Sequence, residues 1–230
     1  MSNQLQMISD IEREVAYTQH MIGRSALSGA VMQAIREVPR EAFVPAAERR
    51  FAYDNGPLPI GCGQTISQPY IVALMTDLLE VGEDAVVLEV GTGSGYQAAV
   101  LSRVVKRVYS VEVIETLSLQ ATETLQKLAY ENVSCRHADG YHGWPEHAPY
   151  DGILVTAAAV DVPAPLVDQL KPGARLVIPV GQPYGYQDLI VVEKSQTGEV
   201  SEKTILGVAF VPLTRSNNHF HSIRNESDKT

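Results

Sequence analysis

The sequence predicts an α/β fold built on an open, mainly parallel sheet with helices on both faces and a β-rich C-terminal end. Three observations carry this. First, in Val86–Ser102, VVLEVGTGSGYQAAVLS, a short apolar β-branched run is broken by Gly91, Gly93 and Gly95 and passes straight into a helical pattern of Ala98, Ala99, Leu101, Val104 and Val105. Second, strands and helical patterns then alternate as far as Val180, with strands apolar enough to be buried on both faces. Third, the last two strands alternate apolar and polar residues, as antiparallel edge strands do, and are joined through Thr197-Gly198.

The elements follow in order. Residues up to about Glu12 are read as poorly ordered. A helix is expected over Ser28–Glu37, with Ala30, Val31, Ala34, Ile35 and Val38 as its stripe and Pro39 as its stop. From Ala52 to Gln68 there is no helical period but many turn formers, Asp54-Asn55-Gly56-Pro57, Pro59, Gly61 and Gly63. A structureless loop of this length inside a domain is uncommon and often functional. Pro69 opens the next helix at its first position, with Ile71, Val72, Leu74, Met75, Leu78 and Leu79 as its apolar face. After the Val86 strand come a strand over Arg107–Val113, a helix from Glu115 to Tyr130 with Leu117, Ala121, Leu125 and Leu128 inward, and a short strand Val133–Arg136. Tyr150–Ala157, Arg175–Val180, Leu189–Glu193 and Ile205–Val211 are the later strands, with a short helix at Leu166–Leu170. From Thr214 onward the chain is polar and aperiodic, which reads as a mobile tail.

Composition fits such a domain and narrows its partners. The chain has 230 residues, 45% of them hydrophobic, enough for a sizeable core. A formal charge of −9 argues against an extended nucleic-acid surface. No apolar run approaches a membrane span, and the N-terminus has no signal-peptide core. Cys62 and Cys135, the only cysteines, show neither metal nor redox spacing. The expectation is a soluble cytoplasmic protein, no metal, and no nucleic-acid or membrane partner. The sequence does not set the oligomeric state, and a monomer is favoured.

Strand, glycine turn and helix start together form a place where a nucleotide-like ligand sits, with free N–H groups and the positive end of the helix dipole facing it. The spacing is G-x-G-x-G followed by Tyr96, which lacks the third small residue of the dinucleotide pattern. Glu112, about 20 residues on and near the end of the next strand, is placed to hold ribose hydroxyls; it could instead be a solvated strand terminus. Asp139, in an Asp-Gly pair after the third strand, is either a ligand contact or a turn former. Thr156 reads as structural. His142 and His147, which flank Trp144, and His219 and His221 in the tail read as surface residues. With no G-x-S-x-G elbow and no Ser–His–Asp set, the site suits chemistry whose reactive group comes from a cofactor. Thr65 and Ser67 lie beside the start of the Pro69 helix, a setting for an anion such as a carboxylate. Equally, Ser67 or Gln68 could merely cap that helix.

These residues resemble the protein-L-isoaspartate (D-aspartate) O-methyltransferase family from about Ser28 to Leu213. PLPIGCGQTISQP is the most specific element; VLEVGTGSGYQ, GWPEHAPYDGILVTAAA, KPGARLVIPVG and FVPL also fit. The resemblance implies a class I S-adenosylmethionine-dependent, Rossmann-like methyltransferase that acts on isoaspartyl and D-aspartyl sites of damaged proteins. It implies Ser67 as the catalytic residue, with Thr65 and Ile66 beside it on the substrate. It further implies cofactor contacts from Glu89, Gly91, Gly93, Gly95, Glu112, Asp139 and Gly140. A single domain is expected over 1–213, made of N-terminal additions (13–82), a cofactor core (83–181) and C-terminal strands (182–213), followed by the tail 214–230. Three residues depart from the family pattern: Ala138 for glycine, Cys62 at a variable site, and Ala209 where an arginine commonly precedes Phe-Val-Pro-Leu. Ala209 encourages a rival reading, a methyltransferase of the same fold acting on another carboxylate or a small molecule. Two weaker rivals are a NAD-dependent oxidoreductase, opposed by Tyr96, and a binding module without catalysis.

Overall fold

The computed structural model describes residues 2–215. The N-terminus is the first departure from expectation. Ser2–Ile22 is a helix, α1, not a loose segment. Met7, Ile8, Ile11, Val15 and Ile22 are buried along it at helical spacing, while Asp10, Glu12 and Arg13 lie outward. The many polar residues mask that stripe in the sequence, but the period of 3.6 is intact. Thr18 Oγ1 and Tyr70 Oη, 2.6 Å apart, tie α1 to the helix that Pro69 opens.

Helix α2 (Gly29–Glu37) matches expectation, with Ser28 Oγ accepting from the Val31 N–H at 3.3 Å as its N-cap. Two short 3₁₀ turns, Arg40–Phe43 and Ala46–Phe51, come next. The segment expected to be structureless contains a hairpin, β1 (Leu58–Gly61) and β2 (Gln64–Ile66). Its turn, Cys62-Gly63, has both residues at positive φ (52° and 71°), as a two-residue hairpin turn requires. Four- and three-residue strands are too short to show a period.

Helix α3 (Pro69–Leu78) leads to β3 (Val86–Val90), α4 (Tyr96–Ser102), β4 (Arg107–Glu112), α5 (Glu115–Lys127) and β5 (Val133–His137). Then come β6 (Tyr150–Val155), α6 (Ala164–Asp168), β7 (Leu170–Gly181), β8 (Gln187–Lys194) and β9 (Val200–Val208). Strand β7 starts five residues before the expected Arg175, and β9 ends at Val208 rather than Val211. The seven-stranded sheet has the order β5-β4-β3-β6-β7-β8-β9. It is parallel from β5 through β7, and β8 and β9 are antiparallel.

Period-2 alternation splits the core between the two faces. Val87, Val108, Leu154 and Val177 pack with α1–α4, whereas Leu88, Val90, Ile153, Val155, Leu176 and Ile178 pack on the opposite face with Leu166 of α6. Strand order reverses between β4 and β6, on either side of β3, so the carboxyl end of β3 opens onto a crevice.

Helix α1 is part of this core, and its contribution is measurable. Ile11→Ala should destabilise the fold by about 2–4 kcal/mol in urea unfolding, because a fully buried side chain leaves a cavity. Leu5→Ala, at a side chain 70% exposed, should change stability by less than about 0.5 kcal/mol.

Candidate active site

The glycine turn sits at the carboxyl end of β3. Gly91 has φ +97°, and a Cβ there would overlap Thr156 Oγ1, which donates to the Gly91 carbonyl at 2.6 Å. A Cβ on Gly140 would lie 2.5 Å from Val90 Cγ1. Both positions therefore exclude a side chain where backbone faces the crevice. Gly93 lines the crevice as well, but Gly95 has a different role. Its bare Cα lets α5 approach, since a Cβ would meet Leu125 at 3.3 Å. Tyr96, where a dinucleotide site keeps a small residue, is fully buried and packs edge-on against Phe43.

Glu112 is no solvated terminus. It is 6% exposed; Oε2 accepts from the Gly93 N–H at 2.8 Å and Oε1 from the Ile114 N–H at 2.9 Å. A carboxylate oxygen has a second lone pair, so both atoms keep acceptor capacity toward the crevice they line. Asp139 caps a 3₁₀ turn, with Oδ1 accepting from the Tyr141 N–H at 3.0 Å and Oδ2 lying 3.6 Å from Arg215 Nε. Gly140, next in the chain, lines the crevice. Across its mouth runs Val211–Thr214, held by backbone hydrogen bonds on both sides of Ala158.

Glu89 does not line the crevice. It lies fully buried under the turn, where Ser110 Oγ donates to its Oε2, and Ser110 Oγ is 2.5 Å from Thr92 Oγ1. Burial, reinforced by the nearby Glu112 charge, pushes the Glu89 carboxyl up to about 8. It is therefore a neutral group at pH 7 and braces the turn from below.

On the acceptor side, neither Ser67 nor Gln68 caps α3. Asn55 does so from across the loop, with Oδ1 accepting from the Tyr70 N–H at 3.1 Å. The Ser67 hydroxyl lines a cavity of about 460 Å³ together with Thr65, Ile71, Tyr186, Ala209 and Phe210. Among the described residues that line it, none is charged. Thr65 and Thr156 line this cavity, the crevice at the glycine turn, and a small cleft that Ile66 and Ser67 also border. Thr65, Thr156 and Val211 are thus the residues shared by the crevice and this cavity.

Sequence reasoning underrated Thr156 and passed over Asn55. Thr156 gave no signal beyond a buried strand threonine, and Asn55 gave only a turn former. His142 and His147 are exposed, as expected, with His147 stacked on Tyr109 at 3.9 Å; His219 and His221 lie outside the described residues, as does the tail from residue 216. Burial pushes the Cys135 thiol up to about 12, so it is no thiolate nucleophile near neutral pH.

This glycine turn, followed by an acid on the neighbouring strand and an adjoining acceptor cavity, defines a class I S-adenosylmethionine-dependent methyltransferase fold. The model of the protein-L-isoaspartate(D-aspartate) O-methyltransferase family matches residues 16–218. The chain belongs to that family. It is 60% identical over 208 residues to protein-L-isoaspartate O-methyltransferase 2 of Syntrophobacter fumaroxidans, covering 90% of this chain and 84% of that one. It is 58% identical to the protein of the same name from Nitrosococcus oceani, covering 93% and 97%. A solved protein-L-isoaspartate O-methyltransferase superposes with a TM-score of 0.77 at 29% identity; the match covers 89% of this chain and 66% of that one. A Plasmodium falciparum chain solved in complex with S-adenosyl-L-homocysteine has the same fold, with a TM-score of 0.74 at 22% identity, covering 91% of this chain and 97% of that one.

Two measurements test this site. Glu112→Gln should weaken S-adenosylhomocysteine binding by about 10-fold in calorimetry, because a charged acceptor becomes half donor against hydroxyls and the Gly93 N–H. Glu89, with its carboxyl raised in the folded state, binds a proton that the unfolded chain releases above about pH 4.5. Its contribution to stability is complete below that pH and declines as pH rises to about 8, where the folded carboxyl ionises. Urea midpoints for Glu89→Gln should therefore lose the part of the wild-type decline that falls in this window.

Proposed function

We propose that this chain transfers a methyl group from S-adenosylmethionine to the free carboxylate of L-isoaspartyl, and D-aspartyl, residues in damaged proteins, with Ser67 orienting the acceptor. Family membership supports the reaction class. The observation that supports the residue roles is the meeting of two cavities at Thr65, Thr156 and Val211, with Ser67 lining the second and not the first.

The residues suit the cofactor. A bare-backbone cradle at Gly91 and Gly140 and a buried carboxylate with spare lone pairs fit a nucleoside. Gly91 and Gly93 would take its amino-acid end, Glu112 the ribose hydroxyls, and the Asp139-Gly140 turn the adenine. When bound, S-adenosylmethionine supplies an electrophilic methyl on a sulfonium.

The chain's own residues then have three tasks. None is proton removal, because a carboxylate is already ionised near pH 7. This accounts for the lack of a histidine or a carboxylate in the acceptor cavity. Ser67 and Thr65 offer hydroxyl protons to the acceptor oxygens and fix their direction. Ile71, Phe210 and Val208 keep water away from an anion that reacts faster when poorly solvated. Among the described residues no lining cation competes for the reacting oxygen, and with Ala209 in the lining, binding is left to neutral donors. We place this chemistry in the cytoplasm, within a single domain over 1–213. Both cysteines are free, and among the described residues no helix is long and apolar enough to cross a membrane.

A pair of otherwise identical peptides, one isoaspartyl and one aspartyl, tests the reading. Methyl ester should form on the isoaspartyl peptide alone. Equal labelling of both, or of neither, would replace it with the reading that Ala209 favours, another carboxylate or a small-molecule acceptor. Ser67→Ala should lower kcat by about 10- to 100-fold, the worth of a hydrogen bond to a charged group, and leave cofactor affinity within about 2-fold. A collapse of cofactor binding would instead make Ser67 a structural residue.

A further inference from the structure

Among the described residues Arg40 is the largest fully buried side chain, at 0% exposure, and none of the reaction chemistry uses it. It opens the 3₁₀ turn that follows Pro39. A buried guanidinium is ordinarily paired with a carboxylate, because desolvating a lone cation is costly. Among the described residues no carboxylate lies within ion-pair distance of Arg40.

Its partners are backbone carbonyls of the acceptor loop. Nε donates to Ala52 O at 2.8 Å and Nη2 to Gly56 O at 3.3 Å. The face of the guanidinium rests on the Tyr96 ring, with Cζ 4.8 Å from the centroid. Nη1 and Tyr96 Oη are both buried without a hydrogen-bond partner. Burial lowers Arg40 to about 10, which still leaves it charged at pH 7.

The two carbonyls bracket the stretch that shapes the acceptor side. Asn55, between them, caps α3, and Pro57, just after Gly56, lines the acceptor cavity. Leu58 then pairs with Ile66, the residue before Ser67. Tyr96 belongs to the rigid part of the site, as the first residue of the helix after the glycine turn. A buried charge held by two carbonyls and a ring face, with no carboxylate beside it among the described residues, thus joins the helix after the glycine turn to the 52–57 stretch.

We propose that Arg40 is a positioning residue for methyl transfer, a buried guanidinium that fixes the 52–57 loop against Tyr96 and so sets where Ser67 and Thr65 meet the acceptor carboxylate. This rests on the function proposed above and adds to it a residue that touches neither substrate nor cofactor. A lysine keeps the charge but cannot hold two carbonyls and lie flat on a ring.

Arg40→Lys tests this directly, with Asn55→Ala as a second variant that loosens the same loop from its outer side. Both are assayed with an isoaspartyl peptide at a temperature where circular dichroism shows them folded. Each should raise peptide KM at least about 5-fold while S-adenosylhomocysteine Kd stays within about 3-fold of wild type. Together they should cost clearly less than the product of the two single effects, because both act through one loop. In the protein without peptide or cofactor, amide exchange over residues 52–58 of Arg40→Lys should be at least about 5-fold faster, with that of 86–100 unchanged. The proposal is overturned by a smaller rise in KM, by cofactor affinity falling as much as peptide affinity, by multiplicative single effects, or by exchange that speeds equally in both segments or in neither. Should the wild type esterify no isoaspartyl peptide, the proposed function falls, while the exchange measurement still decides whether Arg40 holds the loop.

Discussion

The carboxylate of Glu112 holds two turns at once, and the donor side of the site depends on it. One oxygen takes the Gly93 N–H and the other the Ile114 N–H, so the end of β4 fastens the glycine turn to the start of α5. The Gly93 N–H of the turn is thereby held on the carboxylate, while the Gly91 and Thr92 N–H groups are held on the Val111 carbonyl. The arrangement is only possible because β3 and β4 run parallel in register, Val90 opposite Val111, which brings both strand ends to one level. A register slip of one residue would turn Glu112 to the other face and leave the turn unheld.

Beneath this lies a second acid with the opposite electrostatic condition. Glu89 is opposite Ser110 in the β3–β4 register, and the two are joined by a hydrogen bond in a fully buried setting. Burial keeps Glu89 neutral, while Glu112 accepts from two backbone N–H groups and lines the crevice. Two carboxyls near each other cannot both be charged cheaply, and here one is buried beneath the turn while the other lines the crevice. The family-derived expectation grouped them as equal cofactor contacts. Their difference in burial separates the roles, which no spacing in VLEVGTGSG reveals.

What was legible in the sequence follows from the range of the signal. The parallel core was legible because β-branched runs, glycine turns and helical stripes are local patterns that the fold leaves in place. The α1 stripe was equally local but was hidden among charged residues. The hairpin at Leu58–Ile66 left too few residues to alternate. On the site, Gly91, Gly93 and Glu112 could be found because the turn needs bare backbone and the next strand ends in an acid. Asn55, Thr156 and Arg40 could not, since each acts on a partner distant in the chain: Asn55 on Tyr70, Thr156 on Gly91, and Arg40 on Gly56 and Tyr96.

Of the two cavities that meet at Thr65, Thr156 and Val211, one is lined by Glu112 and the other, among the described residues, by no charged side chain. A sulfonium donor and a carboxylate acceptor attract each other, and methyl transfer abolishes both charges. A cation lining the acceptor cavity would stabilise the carboxylate before reaction more than during it, which tightens binding but raises the barrier. Neutral hydroxyls hold direction with less of that penalty. The buried positive charge that serves this loop is set behind it, at Arg40, where it holds backbone carbonyls rather than the acceptor itself. In the proposed function a cation one layer back would hold the loop while the cavity beside Ser67 stays uncharged among the described residues, and a transfer that needs no proton movement would require nothing more from that side.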